Sequence, residues 1–231
     1  MSRYDDLKEA AWRCNRALPA SGLVVQTFGN ASAFDAARGI FAIKPSGVPF
    51  ETLGVGDMVI VDLDLQTVEG TLRPSSDTRT HAVLYRQWQD IGGIVHTHSP
   101  YAVAWAQAQK SIPVLGTTHA DCVPRDIPCT DVMADEDIRG DYEEKTGHQI
   151  LSTLHSMSHT DIEMVLVACH GPFTWGNTAE RALTNAVMLE LIAQTALLTL
   201  QVNPTTPRLK DTLLRKHFER KHGPDSYYGQ P

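Results

Sequence analysis

Hydrophobic residues near the N-terminus recur at helical spacing. Leu7, Ala11, Cys14 and Leu18 follow one another at intervals of three or four residues up to Pro19, which predicts an opening amphipathic helix. Short apolar or β-branched runs bounded by glycine, proline, asparagine or aspartate come next, and such runs predict strands. These runs are 23–27, 40–44 and 58–62.

The rest of the chain alternates strand-like and helix-like patterns. Asn177 begins a capping-box pattern ahead of a long apolar segment, and Gly223-Pro224 is an expected helix stop. The predicted elements are a helix after 75–77, where small polar residues suit a cap, a strand over 91–98, a helix over about 100–109, a strand over 164–169, a helix from 177 to about 200 and a helix over about 209–221. Interleaved strands and helices without an internal repeat indicate an α/β layered domain, whose sheet direction this pattern leaves open.

Length and charge narrow the class of protein. The chain has 231 residues and 42% hydrophobic content, and no Pro/Gly/Ser linker divides it, so a single domain over 1–231 is expected. The formal net charge is -7, with acidic and basic residues interspersed. This balance argues against a nucleic-acid groove and against an anionic membrane surface. Small molecules or copies of the same chain are the expected partners.

Cysteine spacing and apolar stretches bear on location. The four cysteines, Cys14, Cys122, Cys129 and Cys169, show no Cys-x-x-Cys spacing and are expected to be reduced, packed thiols of a cytoplasmic protein. Residues 1–6 lack the apolar region of a signal peptide. The longest apolar stretch, 186–200, contains Glu190 and Gln194 and is shorter than the ~20 apolar residues of a membrane span. It predicts a buried helix.

Side chains that bind metals or move protons occur in three separate segments, 75–77, 96–98 and 169–173. On a strand, His96 and His98 share a face, with their imidazoles about 7 Å apart. His170 ends an apolar strand, where layered α/β folds usually bind ligands, and Asp77 adds a carboxylate. A His-x-His pair alone is also an ordinary polar strand face, so the hypothesis of a catalytic metal centre depends on the segments together. Nitrogen and oxygen donors of this kind suit zinc, and manganese or cobalt fits the same donors.

Pairs of small residues form a second candidate site. Glycine frees the backbone and serine adds a hydroxyl, so such pairs can cradle a phosphate, although each pair alone is typical of a turn. Lys44 would add a positive charge for an anionic substrate. The pairs are Gly29-Asn30, Ser46-Gly47 and Ser75-Ser76. Asp121 in a polar loop and the tail 226–231 would by themselves be a solvated turn and a frayed terminus.

Seven segments carry a family resemblance along essentially the whole chain. They are 29–30, 44–47, 74–78, 96–99, 116–121, 170–173 and 227–230. In this order they closely resemble the L-ribulose-5-phosphate 4-epimerase family of the class II aldolase and adducin superfamily. The His-x-His and Ser-Ser-Asp elements point to the superfamily, whereas the Thr-His-Ala-Asp loop and the Tyr-Tyr-Gly-Gln terminus point to the epimerase branch.

The resemblance implies a fold and a set of residue roles. The fold would be a three-layer α/β/α arrangement with a central, mostly antiparallel sheet flanked by helices. The family forms cyclic homotetramers with active sites at subunit interfaces. The implied roles are a zinc site of Asp77, His96, His98 and His170, a substrate site of Gly29, Asn30, Ser46, Gly47, Ser75 and Ser76 together with Lys44, and an acid/base pair of Asp121 and Tyr228 from the neighbouring subunit.

The resemblance also implies a reaction on a phosphorylated pentulose. An epimerase of this kind interconverts L-ribulose 5-phosphate and D-xylulose 5-phosphate. The hydrogen on carbon 4 is not acidic, but the hydroxyl on carbon 4 is β to the ketone. Metal-assisted retro-aldol cleavage of the bond between carbons 3 and 4, rotation of the aldehyde and re-formation of the bond on its other face therefore invert carbon 4. The pathway, whether arabinose catabolism, ascorbate use or another, is left open.

Three alternatives stay open at this point. A class II aldolase that cleaves a ketose 1-phosphate would carry a glutamate near Asp77 as its base and would lack the Asp121 and Tyr228 pair. A non-catalytic adducin-like interaction module would have no need of three histidine ligands. A structural zinc site usually closes four ligands, often cysteines, around the metal, whereas this set contains no cysteine and adjoins an anion cradle.

Overall fold

A computed structural model describes residues 2–227. Groups of strands are interleaved with groups of helices along this part of the chain. The helices are α1 (Asp5–Ala20), α2 (Thr78–Gln87), α3 (Pro100–Gln107), α4 (Thr117–Ala120), α5 (Asp135–Arg139), α6 (Tyr142–Thr153), α7 (Ala179–Val202) and α8 (Asp211–His222), with a 3-10 turn at Val55–Asp57. The strands are β1 (Asn30–Asp35), β2 (Ile40–Ile43), β3 (Val59–Asp62), β4 (Thr67–Glu69), β5 (Gly93–His96), β6 (Met164–Val167) and β7 (Gly171–Gly176).

The strands form one seven-stranded sheet in the order β4-β3-β2-β1-β5-β7-β6. Each pair of neighbours in this sheet is antiparallel over the described residues. The register places Asn30 of β1 opposite His96 of β5, and His96 opposite Phe173 of β7. Three central strands therefore bring their polar ends to the same edge of the sheet.

Helices cover both faces of the sheet. On one face, Ala31 and Ala33 of β1 pack in a cluster with α1 and the first residues of α7. On the other face, Phe34 stacks on Tyr85 of α2 with ring centroids 4.3 Å apart. The alternation of side chains along β1 thus serves two cores, one above and one below the sheet. The predicted three-layer arrangement with an antiparallel sheet is confirmed.

Several elements differ from the prediction. The apolar run 23–27 does not form a strand, and Val25 is 62% exposed. The strand β1 was missed because its residues are small and polar, yet it is a central strand that packs against helices on both sides, so tertiary context overrides its low β propensity. β4 and β7 were missed too, and so were α4, α5 and α6.

The long helix α7 differs in two details. Its cap is Thr178, whose hydroxyl accepts from the Arg181 N–H, instead of the predicted Asn177. The helix is long and apolar enough to cross a membrane by length and composition, but it packs against β5, β7, α1 and α3. The predicted burial holds for one face only, because the opposite face exposes an apolar stripe. The stripe consists of Val187, Leu191, Leu198 and Val202, which are 37% to 88% exposed.

Candidate metal centre and substrate pocket

A pocket of about 340 Å³ lies at the sheet edge where β1 begins and β5 ends. It gathers the predicted metal and substrate residues from distant parts of the chain. Its lining residues are Thr27, Phe28, Gly29, Asn30, Lys44, Pro45, Ser46, Gly47, Ser75, Ser76, Asp77, His96, His98, Tyr142, Glu143 and His170. The fold therefore brings the proposed ligands and the proposed anion cradle into one cavity.

The three histidines converge at one point of this pocket. One ligand atom from each of His96, His98 and His170 lies within 4.8 Å of the other two. The Nε2 atoms of His96 and His98 are 3.1 Å apart, and the ring centroids of His96 and His170 are 4.7 Å apart. His96 and His98 are closer than two residues on one strand face, because β5 ends at His96 and His98 lies beyond it. This group could hold a metal ion.

The electrostatics of the group favour neutral imidazoles. The Nδ1–H of His96 donates to the Pro172 carbonyl at 2.9 Å, which leaves the lone pair on Nε2 for a ligand. Burial, together with the neighbouring His98, lowers the pKa of His96 to about 3. Burial and the nearby His96 also lower the pKa of His170. The lone pairs that a divalent cation requires are therefore available at neutral pH.

Asp77 lies in the same pocket but outside the tight group of histidines. It is the N-cap residue of α2, as predicted for 75–77, although its side chain makes no cap hydrogen bond. Its carboxylate instead accepts from Nδ2 of Asn30 at 2.6 Å. Asn30 is 2% exposed, and its Oδ1 has no hydrogen-bond partner among the described residues. A buried acceptor without a partner indicates that a bound ligand or water would donate the missing hydrogen bond.

Gly29 allows Asn30 to lie beside the histidines. Its φ of 93° is in the left-handed region, where a side chain would be strained. A Cβ at this position would lie 2.9 Å from the carbonyl oxygen of His96. Glycine is therefore required for the close approach of the loop before β1 to the end of β5.

Two loops form the anion cradle and hold each other in place. The Ser46 N–H donates to the Arg73 carbonyl at 2.9 Å, and the Ser75 N–H donates to the Lys44 carbonyl at 3.0 Å. Gly47 has a φ of 70°, again in the left-handed region. Because these two amides are occupied, the donors that Ser46 and Ser75 offer to an anion are their hydroxyls.

Lys44 supplies the positive charge of the cradle from a buried position. It is 2% exposed, and its Nζ lies 4.6 Å from the ring centroid of Phe50. Burial lowers the pKa of Lys44 to about 8. The ammonium is thus poorly solvated in the free protein and would gain from an anionic ligand.

Tyr142 and Glu143 also line the pocket, and the sequence reasoning missed both. They begin α6, and the Tyr142 hydroxyl lies 3.2 Å from Nδ1 of His170. The acidic residues Glu143 and Glu144 in the first turn are typical of a helix start, but nothing in the local sequence indicates that this start lies at the pocket.

Asp121, one member of the predicted acid/base pair, does not line this pocket. Asp121 follows α4 and contacts α8, where Arg220 donates to its carboxylate at 2.7 Å and His217 lies at 3.0 Å. Burial would raise the pKa of Asp121, but the hydrogen bonds from Arg220 and His217 outweigh burial and lower it. The adjacent Cys122 lines a crevice with Met164, which starts β6, whereas the metal pocket lies beyond the other end of that strand. Tyr228 lies outside the described residues.

Comparison with known proteins defines the family. Residues 9–197 match the class II aldolase and adducin N-terminal domain, and the chain belongs to this family. Among curated proteins it is similar to the L-ribulose-5-phosphate 4-epimerase UlaF of Salmonella paratyphi B. The identity is 50% over 224 residues, which cover 97% of this chain and 98% of the relative. The enzyme of the same name from Salmonella typhi matches with the same identity and coverage.

Solved structures show the same fold. An L-fuculose 1-phosphate aldolase matches with a TM-score of 0.78 at 23% identity, covering 95% of this chain and 97% of the other. YgbL of Klebsiella pneumoniae, a putative aldolase/epimerase/decarboxylase, matches with a TM-score of 0.74 at 22% identity, covering 94% and 99%. At such identities the likeness extends to the fold alone.

Proposed function

We propose that this protein is an L-ribulose-5-phosphate 4-epimerase that interconverts L-ribulose 5-phosphate and D-xylulose 5-phosphate. The observation that carries the proposal is the three-histidine group in one cavity with the Lys44 and serine anion cradle. A sugar phosphate presents both an anion and oxygen atoms that a metal can bind. The relatives that are 50% identical along nearly the whole chain bear the name of this enzyme.

We propose that the resident metal is zinc. His96, His98 and His170 would hold it, and Asp77 lies in the same pocket as a further oxygen donor. Three neutral imidazoles and a carboxylate are donors that zinc prefers. When bound, a divalent ion supplies Lewis-acid stabilisation of the negative charge that develops on the substrate oxygens during cleavage.

The chain itself would bind and orient the substrate. Lys44, with the hydroxyls of Ser46 and Ser75, would hold the phosphate, so that the aldehyde fragment turns after cleavage but does not leave. The Oδ1 of Asn30 would accept from a substrate hydroxyl, which satisfies its free buried acceptor. Gly29, Gly47 and Ser76 would complete the substrate site, as the family resemblance implies.

Asp121 and Tyr228 of a neighbouring subunit would be the acid/base pair. Inversion of carbon 4 requires proton transfer on two opposite faces of the aldehyde, so two groups are needed. The position of Asp121 away from the histidines of its own chain supports a role across a subunit interface. The hydrogen bonds that lower its pKa would keep it ionised and able to accept a proton.

We therefore propose a homotetramer of single-domain subunits. The exposed stripe of Val187, Leu191, Leu198 and Val202 supports burial against another copy, since a group of exposed large apolar side chains often marks an interface. Two cores on opposite faces of one sheet support a single domain over 1–231. The four free cysteines support a reducing, cytoplasmic location.

The test is incubation of the zinc-loaded protein with L-ribulose 5-phosphate, followed by an assay for D-xylulose 5-phosphate. We expect product that disappears after chelation and returns with zinc. Asp121→Asn should lower turnover by about 100-fold or more while metal stays bound. Stoichiometric release of free aldehyde would instead indicate an aldolase, and a protein that binds no metal and turns over no sugar phosphate would contradict both.

A further inference from the structure

The outer nitrogens of two histidines in the metal group have fixed partners. Nδ1 of His96 donates to the Pro172 carbonyl at 2.9 Å, and Nδ1 of His170 lies 3.2 Å from the hydroxyl oxygen of Tyr142. One partner is backbone and cannot be changed by mutation. The other is a single side chain from α6, which neither the family motifs nor the sequence patterns indicated.

Tyr142 is held in place by the packing of α6 on α2. Asp141, directly before it, pairs with Arg79 at 2.8 Å, and Thr80 donates through its hydroxyl to the Glu143 carbonyl at 2.5 Å. Both contacts come from the first turn of α2, and they flank Tyr142 in the chain. The phenol is therefore fixed relative to the scaffold on which the pocket is built, instead of hanging from a loop.

A metal-binding imidazole calls for a hydrogen-bond acceptor beside its other ring nitrogen, which in His170 is Nδ1. A neutral imidazole has one N–H and one lone pair, so a histidine that binds a metal through Nε2 presents Nδ1–H on its outer side. Pairing with the Tyr142 oxygen satisfies that donor. A phenol oxygen can accept this hydrogen bond while its own O–H remains free to donate.

We propose that Tyr142 is a positioning residue of the metal centre: its hydroxyl oxygen accepts the Nδ1–H of His170 and holds that imidazole in the tautomer and orientation that present Nε2 to the ion. The inference rests on the metal-dependent function proposed above. Tyr142 acts through His170 and is not assigned a ligand role. Its hydroxyl is one of two outer contacts, so its removal should weaken the metal site without emptying it.

The test compares Tyr142→Phe with Tyr101→Phe and with the wild type. Tyr101 packs against the core outside the pocket, so its change controls for the loss of a phenol hydroxyl elsewhere. The dissociation constant for Zn²⁺ is measured by competition with a chelating dye. The visible spectrum of the Co²⁺ form reports ligand geometry, and thermal unfolding of the metal-free proteins reports stability.

We expect Tyr142→Phe to bind Zn²⁺ about 10- to 100-fold more weakly, the usual effect of losing an outer partner of a ligand. Its Co²⁺ spectrum should change, whereas its metal-free melting temperature should match that of Tyr101→Phe. Equal affinity and an unchanged spectrum would overturn the inference, as would weaker binding explained by an equal loss of stability in the metal-free protein. Failure of the wild type to bind either ion would instead refute the proposed metal-dependent function.

Discussion

The substitution Gly171→Ala tests whether the backbone spacing of the sheet edge controls the metal site. Gly171 directly follows His170 and is the first residue of β7. A Cβ added at this position would lie 2.8 Å from the carbonyl oxygen of Thr97 and 3.5 Å from Cε1 of His96. Thr97 lies between His96 and His98, so the new methyl group would push the segment that carries His170 away from the segment that carries the other two histidines.

The size of this displacement follows from the contact distance. The distance from the added Cβ to the Thr97 carbonyl oxygen must lengthen by about 0.6 Å to reach ordinary van der Waals contact. The oxygen is a backbone atom and the Cβ is bonded directly to the backbone, so no side-chain rotation can relieve the contact. Metal sites tolerate about 0.2 Å in ligand distances. We therefore expect Zn²⁺ affinity to fall at least about tenfold, with an overpacking cost of about 1–3 kcal/mol in the free energy of unfolding.

The assay is chelator competition for Zn²⁺, with urea denaturation of the metal-free protein in parallel. Gly56→Ala is the matched control, because a Cβ at Gly56 meets no atom within 4 Å. The control should bind Zn²⁺ as the wild type does. If Gly171→Ala binds the ion as tightly as Gly56→Ala, the spacing between the two histidine segments does not limit the site, and the argument fails.

Three further predictions concern charge, a buried network and assembly. Burial lowers the pKa of Lys44 to about 8, so its positive charge is present below that pH and is lost as the pH rises through it. The KM for the sugar phosphate should therefore rise above pH about 8. Lys44→Met should raise KM at pH 7 and remove this pH dependence, and a pH profile shared by both proteins would contradict the assignment. Ser32→Ala removes the hydroxyl that lies 2.7 Å from His81 Nδ1 and 2.6 Å from the Tyr85 hydroxyl. The free energy of unfolding should fall by about 1–3 kcal/mol in urea denaturation, and an unchanged midpoint would show that this network does not contribute to stability. Leu198→Asp should lower the mass measured by sedimentation, since it places a charge in the exposed stripe of α7; a tetramer of unchanged mass would remove the stripe from the interface.

Helices with a strong apolar period were predictable from local sequence. α1, α2, α3 and α7 lie where spacing and cap residues placed them, apart from the shift of the α7 cap from Asn177 to Thr178. The helix α6 was harder, because it has few apolar residues and its buried positions include Thr146 and Gly147, so its buried face gives no hydrophobic period. Missing α6 also meant missing Tyr142, the partner of His170.

The central strand β1 shows the limit of local patterns. Asn30, Ser32 and two alanines have low β propensity, whereas the more β-like run 23–27 forms no strand among the described residues. What makes β1 a strand is close packing of small side chains between α1 and α2 and pairing with β2 and β5. Such pairing depends on residues far away in the chain.

The sequence by itself determined which chemical groups the protein has: imidazoles, a lysine, serine hydroxyls and a carboxylate, all of types and local spacings that indicate a metal and an anion. Only the tertiary structure decided that His170 and Asn30 meet His96, because the register of β1, β5 and β7 sets that meeting. It alone also placed Asp121 against α8, away from the pocket. The physical reason is that side-chain chemistry is a local property, whereas strand pairing and helix packing join residues that are distant in the chain.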